Sequence, residues 1–202
     1  MLKAPVAGQV KTRLAAEIGD AAALRAYRRL VEHLGAGLPP EWPVEVHFSP
    51  AEAEADMRHW LGGRALYVPQ SPGDLGERLI AAASGAFHRG AAAVFLIGGD
   101  CPGLDEATLR TAAAGLAGRD AVLGPAVDGG YYLLGIKAVE RTLFEGVSWS
   151  TATVADETRA RMRRLDWTWM ELAEQEDVDD VAAWDRAQRK HPSLGAKRSA
   201  TG

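Results

Sequence analysis

The run Val94-Phe-Leu-Ile-Gly-Gly-Asp100-Cys-Pro-Gly-Leu104 carries the clearest architectural signal in this chain. Its first four residues form a short, continuous apolar run, which is typical of a strand buried on both faces in a sheet that helices cover on each side. Gly98 and Gly99 remove side chains where this strand ends, and Pro102 and Gly103 indicate a turn. The run therefore predicts a central strand of an α/β domain.

Asp100 follows that strand directly, and a carboxylate at the carboxyl end of a central strand stands where open α/β sheets bind ligands. Gly99 beside it allows a bulky ligand to approach the backbone closely. The alternative is that Asp100 only caps the next helix. Asp105 is better placed for that task, because it directly precedes Glu-Ala-Thr-Leu-Arg, so the position of Asp100 favours a functional role.

Composition narrows the class of protein. The 202 residues suffice for one sizeable α/β domain, and 47% hydrophobic with 25% charged residues is ordinary for a globular protein. The net charge of −4 gives no general attraction to nucleic acid or to an anionic membrane.

The single cysteine, Cys101, has no partner for an internal disulfide. Its neighbour Asp100 argues against a nucleophilic thiolate, so we expect Cys101 to have a packing role. With no apolar span and no signal-peptide pattern, the sequence predicts a cytoplasmic protein.

Strands and helices alternate along most of the chain, which predicts a single three-layer α/β/α domain over residues 1–189. The polar residues 190–202 are predicted to form a disordered tail. The predicted strands are Val44–Phe48, Ala65–Val68, Val94–Ile97, Ala121–Gly124, Tyr131–Ile136 and Trp167–Leu172. The predicted helices are Asp20–Leu34 with Gly35 after it, one opened by Ser49-Pro50 that ends at Gly62-Gly63, Leu75–His88, Asp105–Leu116, Ala138–Phe144, Ala152–Leu165 with Ser150 or Thr151 as its cap, and Val181–Arg189.

A basic loop lies near the start of the chain, where Pro5 and Gly8 interrupt regular structure between Lys3 and the cations Lys11 and Arg13. Cations in a Gly/Pro loop beside a helix N-terminus form an anion site. An exposed basic loop with no ligand is the alternative. The spacing is not that of a Walker A motif, so this is not a P-loop of that kind.

Three loops add candidate contacts. Asp74 and Glu77 resemble a capping box. Just before them, Gln70 has a side-chain amide that can both donate and accept hydrogen bonds, and Gly73 could lie under a ligand. Asp128 lies in a glycine-rich loop between two strands, where an aspartate that only forms the turn is a common alternative. Trp149 lies in the loop before the next helix, where an exposed ring suits substrate stacking and a buried one suits packing.

The segment Glu174-Gln-Glu-Asp-Val-Asp-Asp180 is strongly acidic. Carboxylates this close together repel one another unless a cation or a basic surface meets them. A solvated acidic loop that caps the next helix is the alternative.

Five motifs in order resemble one known family. They are Lys3-Ala-Pro-x-x-Gly-x-Val-Lys11-Thr-Arg13-Leu, Gly73-Asp-Leu-Gly-Glu-Arg78, Ile97-Gly-x-Asp100-Cys-Pro-Gly-Leu, Gly124-Pro-x-x-Asp128-Gly-Gly-Tyr-Tyr and Trp149-Ser-Thr151. Together they resemble the DUF2064 family of glycosyltransferase-like proteins, also called radical-SAM/selenodomain-associated transferases, some of them assigned to arsenosugar biosynthesis. The resemblance extends from Lys3 to about Trp184. More distantly, the chain is similar to the molybdenum-cofactor and 2-phospholactate guanylyltransferases. Both resemblances imply the nucleotide-diphospho-sugar transferase (GT-A) fold, with a mostly parallel central sheet.

The resemblance also implies site roles. Asp100 and Asp179 match positions that hold a divalent metal, Mg²⁺ or Mn²⁺, on the nucleotide phosphates. Lys11 and Arg13, with Lys3 and Gly99 in the same motifs, match residues around the phosphates. Gln70 and Gly73 fall where related enzymes recognise the base. On the acceptor or sugar side the implied residues are Asp128 as a candidate base, Gly129, Tyr131 and Trp149.

One departure from the family concerns the first strand. Relatives usually begin with several apolar residues ahead of the Lys-Ala-Pro motif, but here only Met1 and Leu2 precede Lys3. Either the first strand is very short or the start of this sequence lies inside the true strand, and the expectation for the loop that follows is the same in both cases.

The implied function is metal-dependent transfer of a group from a nucleotide-activated donor to a small-molecule acceptor. A nucleotide sugar is the expected donor on family grounds. The alternatives are nucleotidyl transfer, in which a phosphorylated acceptor attacks a nucleoside triphosphate and pyrophosphate leaves, and a nucleotide-binding module without catalysis. Neither nucleic acid nor membrane is an expected partner, and the sequence leaves the donor nucleotide, the acceptor and the oligomeric state open.

Overall fold

The computed structural model describes residues 1–195, in which strands and helices alternate as predicted. The strands are β1 (Leu2–Lys3), β2 (Glu45–Ser49), β3 (Leu66–Pro69), β4 (Val94–Ile97), β5 (Ala121–Pro125), β6 (Tyr131–Ile136) and β7 (Trp169–Glu171). The helices are α1 (Thr12–Ile18), α2 (Asp20–Ala36), α3 (Glu54–Leu61), α4 (Leu75–His88), α5 (Glu106–Ala117), α6 (Val154–Arg164) and α7 (Val181–Lys190). Three short 3₁₀ helices span Ala51–Ala53, Arg141–Leu143 and Pro192–Leu194.

The strands form two sheets rather than the single central sheet that the sequence predicted. The first is entirely parallel, in the order β1-β2-β3, and the second has the order β4-β6-β5-β7. In the second sheet β6 runs antiparallel to both of its neighbours, while β5 and β7 are parallel. Parallel pairing thus prevails, as expected, and antiparallel pairing is confined to the two ladders of β6.

The second sheet is covered on both faces, which makes the domain three-layered. Side chains along a strand alternate between faces. On β5 the buried residues Ala121 and Leu123 pack with helices α4 and α6, whereas Val122 between them packs with α5 on the other face. On β6 Leu134 and Leu133 divide in the same way. The α/β/α arrangement is therefore confirmed.

The two sheets meet where β1 approaches β4, but no ladder joins them. The two residues of β1 pair with Phe48 and Ser49 at the end of β2, and the amino group of Met1 donates a hydrogen bond to the carbonyl of Ile97 at 3.2 Å. A groove of about 520 Å³ lies between β2 and β4. A very short first strand was one of the two alternatives that the sequence left open. The groove explains why only Leu96 of β4 is buried, whereas its other residues are half-exposed, against our expectation of a strand buried on both faces.

Two predicted helices begin differently in the structure. Ser49 and Pro50 lead into a 3₁₀ turn, and regular helix starts only at Glu54, so Ser49 is not an N-cap and Pro50 is not a first helical residue. The helix α6 starts after Thr153, without a side-chain cap from Ser150 or Thr151. At the starts of α3 and α6, packing with the rest of the domain outweighs the capping preferences of these local residues.

Three further boundaries were wrong. The helix α2 passes through Gly35 to end at Ala36. The helix predicted over 138–144 is reduced to the 3₁₀ turn Arg141–Leu143, in which Leu143 is pulled into the core. The predicted tail begins too early, because Leu194 is fully buried beside α1, α2 and α7. The rest of that tail, 196–202, lies outside the described residues.

Within residues 1–195 no helix combines the length and the apolar character that crossing a membrane requires.

Candidate active site

Six of the predicted site residues line one open cleft of about 320 Å³ at the carboxyl end of β1 and β4. They are Lys3, Lys11, Arg13, Gly99, Asp100 and Asp179. They come from three segments that are far apart in sequence, so the fold brings together what the motifs suggested separately. The other predicted residues, from Gln70 to Trp149, lie outside this cleft and are described below.

Two glycines, Gly98 and Gly99, lie between the end of β4 and Asp100, and a side chain at either position would make a close contact. A side chain at Gly98 would place its Cβ 2.9 Å from Oδ1 of Asp100, and one at Gly99 would lie 2.6 Å from Cδ2 of Leu2. A side chain at Gly99 would therefore displace the Leu2 side chain of β1. Asp100 then accepts a hydrogen bond from the amide of Val178 through its backbone carbonyl (3.0 Å), which holds the acidic segment beside β4.

Side chains of the acidic segment alternate between the protein interior and the cleft side. Val178 is buried to 1% exposure, while Asp177 and Asp179 on either side of it are half-exposed. Residues two apart in an extended segment point the same way, so both carboxylates turn toward Asp100. Gln175 holds the segment in place through two hydrogen bonds. Its backbone N–H donates to the carbonyl of Pro125 (3.1 Å), and its side-chain Oε1 accepts from the thiol of Cys101 (3.1 Å).

Cys101 is buried and belongs to the core, in keeping with a packing role. Burial is the main cause that raises the pKa of its thiol to about 12. A thiol of that pKa is almost entirely protonated at neutral pH and is a poor nucleophile.

Lys11 lies between two of the carboxylates. It precedes α1 in a left-handed conformation (φ 47°), fixed by the buried side chains of Val10 and Leu14. Its Nζ is 3.0 Å from Oδ2 of Asp100 and 2.9 Å from Oδ1 of Asp179, and its side chain is only 7% exposed. Burial alone would lower the pKa of Lys11, but the charges of Asp100 and Asp179 outweigh it and raise the pKa above its ordinary value.

Arg13 and Lys3 add positive charge at the rim. Arg13 is 81% exposed and approaches Oδ2 of Asp179 at 3.6 Å, so it is free to turn toward a ligand. Lys3 is exposed on β1. Tyr27 fixes the backbone below it, since its hydroxyl accepts from the Lys3 amide (3.0 Å) and donates to the Lys3 carbonyl (2.8 Å). Tyr27 was not predicted as a site residue, because helical spacing in α2 indicated only a core position.

Asp177 is a functional candidate that our sequence reasoning missed. One oxygen from each of Asp100, Asp177 and Asp179 lies within 4.8 Å of the others. The pKa of Asp177 is raised to about 6, first by burial and then by the charges of Asp128, Asp100 and Asp179. The pattern Asp-Val-Asp, with its apolar middle residue, was the signal in the sequence that would have identified it.

These three carboxylates suit a hard divalent cation. Mg²⁺ and Mn²⁺ prefer oxygen ligands, and Mg²⁺ is commonly bound by one or two carboxylates together with substrate phosphates. The ammonium of Lys11 already stands between Asp100 and Asp179 as a cation, which shows that this position takes positive charge. The predicted pair of Asp100 and Asp179 would thus hold the ion, with Asp177 as a third ligand.

Asp128 lies beside the cluster, in the turn between β5 and β6. Its Oδ1 accepts from the amide of Gly130 (2.8 Å), so it forms the turn that the alternative interpretation anticipated. It is nevertheless exposed, and its charge is one of the causes that raise the pKa of Asp177. A backbone hydrogen bond from Val127 to Gln175 (3.0 Å) holds this turn against the acidic segment.

Gly129, Tyr131 and Trp149 lie together on the far side of that turn. Gly129 has φ +87°, and a Cβ there would be 2.1 Å from the carbonyl oxygen of Ala152, so only glycine fits. The rings of Tyr131 and Trp149 meet edge to face with centroids 6.5 Å apart. The Tyr131 hydroxyl and the Trp149 indole N–H are buried without a partner in the described part of the chain. Their acceptor-side roles stay predictions.

Gln70 and Gly73 have structural tasks of their own. The Gln70 amide donates to the carbonyls of Leu2 and His47, both at 3.0 Å, and its Oε1 accepts from Arg78 at 3.2 Å. Gly73 has φ +105° in the turn before α4. That turn ends in the predicted capping box, in which Asp74 and Glu77 each accept from the other's backbone amide. Base recognition by Gln70 and Gly73 stays a prediction.

One protein family matches more than half of the chain. Residues 36–151 match the sequence profile of DUF2064, described as an uncharacterised protein conserved in bacteria. No curated protein sequence matches the chain.

Solved structures agree with this fold. A crystal structure from Desulfovibrio desulfuricans G20, described as that of a proposed nucleotide-diphospho-sugar transferase, is 30% identical, with a TM-score of 0.84 over 96% of this chain and 94% of the other. The 4-diphosphocytidyl-2C-methyl-D-erythritol synthase of Anaerococcus prevotii superposes with a TM-score of 0.61 at 12% identity, over 94% of this chain and 93% of the other. At that identity the second likeness shows the fold alone.

Proposed function

This chain belongs to the DUF2064 family and has the fold of nucleotide-diphospho-sugar transferases, and we propose that it is a metal-dependent transferase acting on a nucleotide-sugar donor and a small-molecule acceptor. The observation that carries the proposal is the meeting of two charge sets in one cleft. Lys11 and Arg13 supply positive charge for the donor phosphates, while Asp100 and Asp179 in the cleft, with Asp177 beside them, supply oxygen ligands for Mg²⁺ or Mn²⁺.

The charge arrangement suits a donor that carries a diphosphate. Transfer leaves negative charge on the departing phosphate, and fixed positive groups aimed at that charge are the largest contribution to catalysis in many enzymes. A bound divalent cation supplies Lewis-acid stabilisation of the same charge. Arg13 is 81% exposed, which leaves room for its side chain to turn toward the phosphate, whereas Lys11 is 7% exposed and lies against the carboxylates.

Asp128 is the candidate base on the acceptor side. A base must lie within hydrogen-bond reach of the proton it takes. Asp128 is exposed in the β5–β6 turn next to Asp177, so an acceptor hydroxyl bound over that turn would meet it beside the donor phosphates.

Nucleotidyl transfer is the second candidate, because the same cleft chemistry serves a triphosphate donor. The likeness of fold to a synthase of a diphosphocytidyl compound is compatible with it. The two candidates differ in their products. A nucleotide-sugar donor releases a nucleoside diphosphate, whereas a triphosphate donor releases pyrophosphate.

Differential thermal unfolding against a donor panel tests the proposal. Nucleotide sugars and nucleoside triphosphates of all bases are compared with Mg²⁺, Mn²⁺ or EDTA, because binding raises stability by RT ln(1 + [L]/Kd). We expect at least one nucleotide sugar to raise Tm only with the divalent ion. Stabilisation by triphosphates alone, with pyrophosphate release, would favour the second candidate. Stabilisation without turnover on any acceptor would make the chain a binding module.

A further inference from the structure

We propose that Lys11 is a resident cation, which holds the metal position in the ligand-free protein and moves onto the donor phosphates when a divalent ion enters. This inference rests on the proposed function, since it concerns how the same cleft takes metal and donor. Its starting point is that Lys11 Nζ contacts the two oxygens predicted to bind the ion, Asp100 Oδ2 at 3.0 Å and Asp179 Oδ1 at 2.9 Å.

The exposures of the three side chains show how deeply each group lies. Lys11 is 7% exposed, whereas Asp100 and Asp179 are 41% and 46% exposed, and all three line the cleft. An ion arriving from solvent therefore meets two accessible carboxylates, with the more deeply placed ammonium already bonded to both.

Charge explains why the ammonium is needed while the cleft is empty. Three carboxylate oxygens lie within 4.8 Å of one another, and such a cluster is unstable without a compensating cation. Lys11 pairs with Asp100 and Asp179, whereas Asp177 has no ion pair with a basic residue within residues 1–195. The ammonium thus keeps Asp100 and Asp179 ionised and positioned in the absence of metal.

The same contact opposes metal that arrives alone. A divalent ion bound to Asp100 and Asp179 would stand close to the Lys11 ammonium, and like charges at that distance repel strongly in a partly buried site. A donor with anionic oxygens gives the ammonium a new partner and removes the conflict. The ligand class that fits is therefore a phosphate-bearing donor that binds together with its ion, rather than a neutral molecule.

Manganese binding to the nucleotide-free protein tests the inference without any turnover. Free Mn²⁺ is measured by electron paramagnetic resonance during titration of the wild type, Lys11→Gln and Lys11→Met. The glutamine variant keeps a hydrogen-bond donor for the carboxylates and the methionine variant keeps only the length of the side chain. We expect both to bind Mn²⁺ alone at least about tenfold more tightly than the wild type.

Lys3→Met is the matched control. It removes one positive charge from the same cleft, but in the described part of the chain Lys3 has no ion pair with Asp100 or Asp179. Its Mn²⁺ affinity should therefore rise much less than that of the Lys11 variants. Equal gains in all three variants would reduce the effect to net charge and overturn the inference. Unchanged or weaker binding in the Lys11 variants would overturn it as well.

A wild-type measurement covers the case in which the variants fail to fold. In a crystal structure with Mn²⁺ and a nucleoside diphosphate, Lys11 Nζ should have left at least one carboxylate and contact a phosphate oxygen. Lys11 still bridging Asp100 and Asp179 in that complex would overturn the inference. The proposed function fails separately, if the wild type binds no nucleotide in the presence of Mg²⁺ or Mn²⁺.

Discussion

Asp177 is the site carboxylate whose protonation the fold alters most clearly. Burial first, and then three neighbouring acids, raise its pKa from 3.8 to about 6. Between those values the folded chain binds a proton that the unfolded chain has already released. The contribution of Asp177 to stability therefore falls as pH rises from about 4 to about 6, and the loss is complete above that range.

Asp177→Asn should accordingly stabilise the metal-free protein in a pH-dependent way. The amide cannot ionise, so Tm should rise at about pH 7.5 and change little at about pH 4.5, as thermal unfolding across that range would measure. Glu174→Gln removes one charge from an exposed position of the same segment and is the control. If both variants shift Tm alike at each pH, burial beside the cluster is not the cause.

Asp128→Asn should separate donor binding from transfer. The amide oxygen can still accept from the Gly130 amide, so the turn should keep its shape. Loss of a general base slows turnover by roughly 10² to 10⁴-fold, while the donor-induced rise in Tm should stay within error of the wild type. Comparable losses of donor affinity and turnover would move Asp128 to the metal or donor side.

The β5–β6 turn is the element that positions Asp128, and Gly129 holds it against the start of α6. Its carbonyl accepts from the amide of Ala155 at 2.9 Å, and a Cβ at Gly129 would strike the backbone of Ala152. Gly129→Ala combines a left-handed conformation, which costs about 1–2 kcal/mol, with overpacking, which costs about 1–3 kcal/mol more.

Gly90→Ala separates these two costs. Gly90 has a similar φ of +93° with no atom within 4 Å of the added Cβ, so it should show only the conformational cost. The free energies of unfolding come from urea titration of both variants. Equal destabilisation would mean that α6 moves away from the turn without cost, and Asp128 would then lack a rigid support.

Local signals predicted some elements well and others poorly. The capping box of Asp74 and Glu77 and the cap at Asp105 were read correctly because each involves neighbours three residues apart. The helix predicted over 138–144 failed because burial of Leu143 and Phe144 outweighs local propensity. In the site, the carboxylate at the end of β4 followed from strand position. The contacts of Lys11 with Asp100 and Asp179 did not, since they span 89 and 168 positions.

Across the whole molecule, the cleft joins segments from both ends of the chain, so metal and donor should bind as one event. We expect Mg²⁺ to tighten nucleotide binding and nucleotide to tighten Mg²⁺ binding by the same factor, as linkage requires. Asp100→Ala should abolish this coupling. Asp179→Ala should only reduce it, because Asp177 turns the same way and retains a ligand oxygen.

Isothermal titration of the nucleoside diphosphate that the donor screen selects, with and without Mg²⁺, measures the coupling. The exposed Glu174→Gln again controls for lost charge. Nucleotide affinity that is indifferent to both Mg²⁺ and Mn²⁺ would contradict the metal-dependent mechanism, whatever the state of Lys11.

The contact between Lys11 and Asp179 also has a consequence for synthesis. Ribosomes add roughly 5–20 residues per second, so on the order of ten seconds or more separates the making of these two residues, which lie 168 positions apart. A nascent chain acquires the basic loop first, Asp100 later, and Asp177 and Asp179 only after the last strand of the sheet. A product that ends between residues 152 and 176 keeps all of 36–151 but lacks Asp177 and Asp179, so its cleft is incomplete. Under the proposed function, a fragment of this kind would lack two metal ligands and would be inactive.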